Sequence, residues 1–326
     1  MAPVSKRALD AAGISDPQLR ADYETCRRLN RDHGRTYYLS TTLLPPEKRP
    51  YVWALYGFAR RADEFVDAMA VPDAVALIDW GRTFLDILAP GAAVGAATSG
   101  SPSGSAAPHT TDPVARAMAH TMRRWSIPRA HVEAFLESMQ MDLTVNAYPT
   151  YTDLEQYMYG SAAVIGLQML PVLEPMAPEA SARARALGEA FQMTNFIRDL
   201  GEDLTLRGRV YLPAEDLEVF GVSREILAAG VITPPVRELL RFEIDRTRAL
   251  YAFAEPGINM VHPTSRDCLR TAFLLYRGIL DEVEANHYQV LTQRVAVPLR
   301  RRLQVAAPAW RRARTARREQ LRWQAA

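Results

Sequence analysis

The chain has 326 residues, 48% of them hydrophobic and 23% charged, with a net charge of +2 and only two cysteines. Those figures describe a globular chain able to bury a large core and exclude a disulfide framework or a cysteine-built zinc site. The longest apolar run, residues 162–173, is too short to cross a membrane, and residues 1–20 lack the apolar core of a secretory leader, so a soluble cytoplasmic protein is expected.

In chain order, an N-terminal extension (1–20) precedes a polar helix at 21–32 that stops near His33. A long helix follows over 46–70, opened by proline, and an amphipathic one over 72–88. Residues 89–113, rich in Ala, Gly, Ser and Pro without period, read as a flexible loop. Helical periodicity resumes at DPVARAMAH and continues through PRAHVEAFLES, TDLEQYMYGSAAVIG, SARARALGEAFQMTNFIRDLGEDL, PPVRELLRFEID and SRDCLRTAFLLYRGILDEV. Strand–helix alternation, GxGxxG and GxxxxGK[ST] are all missing, so the expectation is one all-α domain over 21–298. The remainder, 299–326, carries nine arginines against one glutamate, with Trp310, Leu321 and Trp323 among its apolar residues. It reads as a solvated, partly disordered end or as a peripheral contact with an anionic membrane; nucleic acid is not expected, because the body is acidic.

Chemistry concentrates in two stretches. In TNFIRDLGEDL, Asn195, Asp199 and Asp203 stand four apart and share one helix face. Like charges at that spacing repel, the more so near Phe196, Ile197 and Leu200. A solvated acidic face would tolerate them; so would a hard cation, Mg²⁺ or Mn²⁺, bound through oxygen alone. In RRADEFVD, Asp63 and Asp67 repeat the spacing on an otherwise apolar helix, with Arg60 alongside. Two acid ladders, each with an arginine, make a chemically sensible pair around Mg²⁺ and a diphosphate, because Mg²⁺ takes few carboxylates plus phosphate oxygens and arginine grips the same oxygens.

These stretches, with YYLSTTLLPPEKRPYVWALYGFARRADEFVD, MDLTV, DLEQYMYGSAAVIG and GRVYLP, resemble the head-to-head prenyl synthases (phytoene, squalene and dehydrosqualene synthases) from about His33 to Tyr288, with wording nearest to bacterial phytoene synthases. The resemblance implies a helical class I isoprenoid synthase bundle around a central apolar cavity. It implies that Asp63, Asp67, Asn195, Asp199 and Asp203 hold Mg²⁺, and that His33, Arg60, Gln192, Asn195, Arg198 and Arg209 meet substrate. Asp63, Asp67, Asp199 and Asp203 are then catalytic, and Tyr157 and Tyr211 border the reacting centre. It further implies condensation of two geranylgeranyl diphosphates to phytoene, without NADPH, or a C15 counterpart giving squalene, dehydrosqualene or presqualene diphosphate. A non-catalytic relative serving in assembly is the rival of another class. Departures are Gly34 and Thr36 where serines are usual, and Ser138, Ser161 and Ala163 within the small-residue motifs. Asp142 keeps its motif position with no role assigned.

Overall fold

The computed structural model describes residues 4–67, 73–89 and 110–325, so most of the 89–113 loop lies outside the described residues. The chain begins with α1 (Val4–Ala11), α2 (Pro17–His33) and α3 (Arg35–Thr41). Asp16 caps α2 by accepting from the Leu19 amide at 2.7 Å, with Pro17 in the first turn. Next come α4 (Arg49–Asp67), α5 (Ala74–Ile87), α6 (Pro113–Trp125) and α7 (Arg129–Met141). Then follow α8 (Tyr151–Met158), a π-helical turn over Tyr159–Ala163, and α9 (Val164–Leu173). The chain continues through α10 (Ala180–Arg198), α11 (Leu200–Arg207), α12 (Ala214–Val219), α13 (Arg224–Ala228) and α14 (Pro234–Ala254). It ends with α15 (Pro263–Ala285) and α16 (Leu299–Ala325).

The architecture is all-α; two isolated bridges, Ala147 to Val210 and Pro175 to Val261, are the extended pairings among the described residues. Two apolar cores carry it. One gathers α1, α2, α4, α5, α6 and α7 around Trp53, Phe58 and Phe84. The other gathers α8, α10, α14 and α15 around Tyr157, Tyr251 and Phe273. The N-terminal residues take part, since Ala8, Leu9 and Ile14 are buried in the first core. No helix of the described residues is long and apolar enough to cross a membrane.

Two local features differ from the sequence expectation. The polar helix through TNFIRDLGEDL is broken at Asp199, whose φ of −100° and ψ of 8° end α10 before α11 begins. The bonds from the Asp199 amide to the Asn195 carbonyl and from the Asp203 amide to the Asp199 carbonyl persist at 2.8 Å, so the ladder survives the break. The basic end is no loose tail. Its helix lies on α15 with Ala306, Ala309 and Ala313 buried, and Arg312 reaches Asp267 at 2.7 Å while Arg301 reaches Asp281 at 2.6 Å.

Small residues let helices meet at backbone distance. A Cβ on Gly160 would lie 2.0 Å from Ser138 Oγ and 2.2 Å from the Ala134 carbonyl oxygen, which brings the π-helical turn against α7. Ser138 uses that proximity, donating to the Tyr157 carbonyl at 3.1 Å.

Candidate active site

Between the two cores runs an apolar cavity of about 270 Å³. One wall is the α4 stripe Val52, Leu55, Tyr56 and Ala59, at helical spacing. Another is the α10 stripe from Ala180 through Ala184, Gly188 and Gln192 to Asn195, and Ser161, Ala162 and Gly166 give a third. One turn beyond Ala59 on the same face stands Asp63, and one turn beyond Asn195 stands Asp199. Each acid ladder therefore continues a stripe that lines the cavity.

A second, more polar pocket opens at this end, lined by His33, Arg35, Arg198, Arg294 and Arg302. Tyr37 and Tyr56 belong to both. With Phe191 and Tyr276 they form an aromatic box: the Tyr37 ring is 5.0 Å from Tyr276 and 6.0 Å from Tyr56, and Phe191 stacks on Tyr276 at 4.4 Å. Gly34 packs directly under this box: a Cβ there would lie 2.6 Å from the Tyr56 ring, so a larger residue would displace the ring.

The ladder acids are held by guanidinium groups. Arg60 donates to Asp63 at 2.8 Å. Asp199 takes a two-pronged grip from Arg198 and a second from Arg294 at 2.9 and 3.3 Å. Burial alone would raise the Asp199 carboxyl, but the hydrogen bonds and charge of Arg198, aided by Arg294, hold it below the usual carboxylate range. Asp203 pairs with Arg207 at 2.9 Å. Asp67 is the last residue of α4, and its side chain lies outside the described residues.

Among the described residues, no three His, Cys, Asp or Glu side chains cluster as a metal site by themselves. The donor set nonetheless suits Mg²⁺, which needs few carboxylates when phosphate oxygens complete its shell. Asn195 bears on this. Its Nδ2 donates to Gln192 at 3.3 Å while its Oδ1, buried beside the ladder, has no hydrogen-bond partner, an acceptor that a cation or a donor would satisfy.

The remaining residues singled out in the sequence gather elsewhere. Tyr157, Tyr211 and Arg209 meet around Asp142, one layer behind Asn195, and line neither pocket. Phe196 joins them, its ring 4.2 Å from that of Tyr211. Sequence reasoning missed Arg294, Tyr37, Tyr56 and Tyr276. The QRVAV segment carries Arg294 back to Asp199 across 95 positions, a separation no local pattern exposes. The tyrosines sit in helices whose aromatic content reads as ordinary core.

An all-helical fold around an apolar shaft whose wall stripes run on into acid ladders, beside an arginine-lined pocket, is the architecture of an isoprenoid synthase. The chain belongs to the squalene/phytoene synthase family, whose model matches residues 30–301. It is 36% identical over 297 residues to the phytoene synthase of Arthrospira platensis, covering 86% of this chain and 90% of that protein. It is likewise 36% identical over 307 residues to the 15-cis-phytoene synthase of a Synechocystis strain, covering 89% and 85%. Among solved structures, a dehydrosqualene synthase superposes with a TM-score of 0.78 at 27% identity over 89% of this chain and 96% of that one. A squalene synthase from Alicyclobacillus acidocaldarius gives 0.72 at 28% identity, over 85% and 98%.

Proposed function

We propose that this protein condenses two geranylgeranyl diphosphates head to head, through a cyclopropylcarbinyl diphosphate, to phytoene with release of diphosphate. The observation that carries the reading is the continuation of both cavity-lining stripes into acid ladders beside an arginine-lined pocket. The presence of phytoene synthases among its relatives favours the C20 substrate over farnesyl diphosphate, and the α10 stripe from Ala180 to Asn195, roughly 22 Å along the helix, gives the prenyl chain a long apolar wall.

Asp63, Asn195, Asp199 and Asp203, with Asp67 at the end of α4, would hold Mg²⁺ or Mn²⁺, which when bound neutralises charge on the departing diphosphate. Arg198, Arg294 and Arg302 offer bidentate contacts to diphosphate oxygens, and His33 borders the same pocket. The aromatic box presents ring faces at the junction of polar pocket and shaft, where an allylic cation would form. The shaft walls exclude the water that would quench it.

The test is product analysis with Mg²⁺ and either geranylgeranyl or farnesyl diphosphate, with and without NADPH. A C40 hydrocarbon from the C20 substrate without NADPH is expected. C30 products alone would move the activity to squalene or dehydrosqualene formation, and no product from folded protein would support a non-catalytic relative.

A second proposal concerns α16. Leu303, Trp310 and Leu321 are exposed and fall in one line along the helix at seven- and eleven-residue steps, flanked by exposed Arg300, Arg311, Arg314, Arg318 and Arg322. An apolar line between arginines fits the surface of an anionic bilayer. Co-flotation with phosphatidylglycerol vesicles is expected, and its persistence after Leu303→Glu with Trp310→Glu would refute the contact.

A further inference from the structure

Tyr157 and Tyr211 reach one carboxylate from distant parts of the chain. Asp142, 8% exposed at the C-terminal end of α7, accepts from the Tyr157 hydroxyl at 2.8 Å through Oδ2. Through Oδ1 it accepts from the Tyr211 hydroxyl at 3.1 Å. Arg209 braces the assembly, donating to the Asp142 carbonyl at 2.7 Å and to the Tyr211 oxygen at 3.3 Å. The two phenol rings lie 5.7 Å apart at an interplanar angle of 25°, and Phe196, next to the ladder residue Asn195, stacks on Tyr211 at 12°. The Arg209 amide also donates to the Asp203 carbonyl at 3.0 Å, so the cluster is tied to the backbone of the second ladder.

An ionised carboxylate only accepts hydrogen bonds, and a phenol has one proton to give. Two phenols sharing one carboxylate are therefore fixed in direction: each proton points at Asp142, and each oxygen meets the rest of its surroundings as an acceptor. An asparagine would keep the shape and break the rule, because its amide group must donate and so reverses one phenol. We propose that Asp142 is a positioning residue for the condensation, holding Tyr157 and Tyr211 in one stack and one hydrogen-bond direction behind the ladder residues Asn195 and Asp203, which Phe196 and the Arg209 backbone tie to that stack, and acting on turnover only through the two tyrosines. This rests on the condensation reading above. Burial, reinforced by the Asp142 charge, pushes both phenols well above their ordinary range, so they remain neutral donors at neutral pH.

The test is a mutant cycle on the full chain with Mg²⁺ and geranylgeranyl diphosphate. Asp142→Asn is expected to lose about 10–100-fold in kcat, with KM within about twofold of the parent. In a Tyr157→Phe, Tyr211→Phe background, the same substitution is expected to change kcat less than about threefold, because the groups it acts through are gone. A parent-like kcat for Asp142→Asn, or an equal loss in both backgrounds, would overturn the inference; a purely structural role would give the latter. Should Asp142→Asn not fold, Asp142→Glu keeps an acceptor-only carboxylate and carries the same cycle: its deficit must also vanish in the phenylalanine background. A parent enzyme that yields no coupled product overturns the condensation reading and this one with it, whereas a turning-over parent matched by Asp142→Asn overturns this one alone.

Discussion

Asn30 lines the apolar cavity with no exposure, and neither its Oδ1 nor its Nδ2 has a hydrogen-bond partner. Leucine has nearly the same shape and no hydrogen-bonding need, so Asn30→Leu removes a desolvation cost without opening a void. An unsatisfied buried polar group costs about 1–3 kcal/mol, and burial of two more apolar atoms adds about 1 kcal/mol, so a gain of about 3 kcal/mol is expected. For 326 residues at about 2.1 cal/mol/K each, the unfolding entropy is about 0.7 kcal/mol/K, which turns that gain into a Tm rise of about 4 °C. Calorimetry of the parent and Asn30→Leu proteins without substrate is the assay. A Tm at or below the parent's would refute the reasoning and show that the amide is satisfied in solution.

Asp199→Asn leaves the buried Arg198 guanidinium without its counter-charge, so a loss of about 3 kcal/mol in stability is expected, together with a fall in kcat of roughly 10²–10³; melting and product assays read both, and retained turnover would sink the ladder assignment. Gly160→Ala forces a methyl against the Ala134 carbonyl and is expected to cost about 2–3 kcal/mol, whereas an unchanged denaturation midpoint would contradict the close approach. Glu243 is pushed up to about 8, first by burial and then by the neighbouring Asp216, against the pull of Arg246. The folded state therefore keeps a proton that the unfolded carboxyl releases above 4.5, and stability from this group falls as pH rises from 4.5 to about 8. Glu243→Gln is expected to flatten that slope in melts taken across the interval; an unaltered slope would assign it elsewhere.

The acid ladders were legible because their information is local: spacing of four on an apolar helix fixes a face, whatever the tertiary structure. The break at Asp199 was not, since two i to i+4 bonds survive it and the pattern of residues is unchanged. Arg294 was hidden by its distance in sequence from the acid it grips. The docking of α16 was hidden by its means, a stripe of alanines whose burial is small per residue in a helix that carries nine arginines. Tyr157 and Tyr211 were picked out by motif alone; that they share Asp142 follows from helix packing that no spacing encodes.

The tyrosines that belong to both the shaft and the arginine-lined pocket give the enzyme a sense of direction. In the proposed condensation, a prenyl diphosphate would lie across that boundary tail inward, because each half of the molecule is at home on one side of it. Condensation abolishes the distinction: a hydrocarbon product has nothing left to anchor at the basic mouth. Each turnover thereby erases the feature by which the ligand was held, and departure is built into the chemistry of the product.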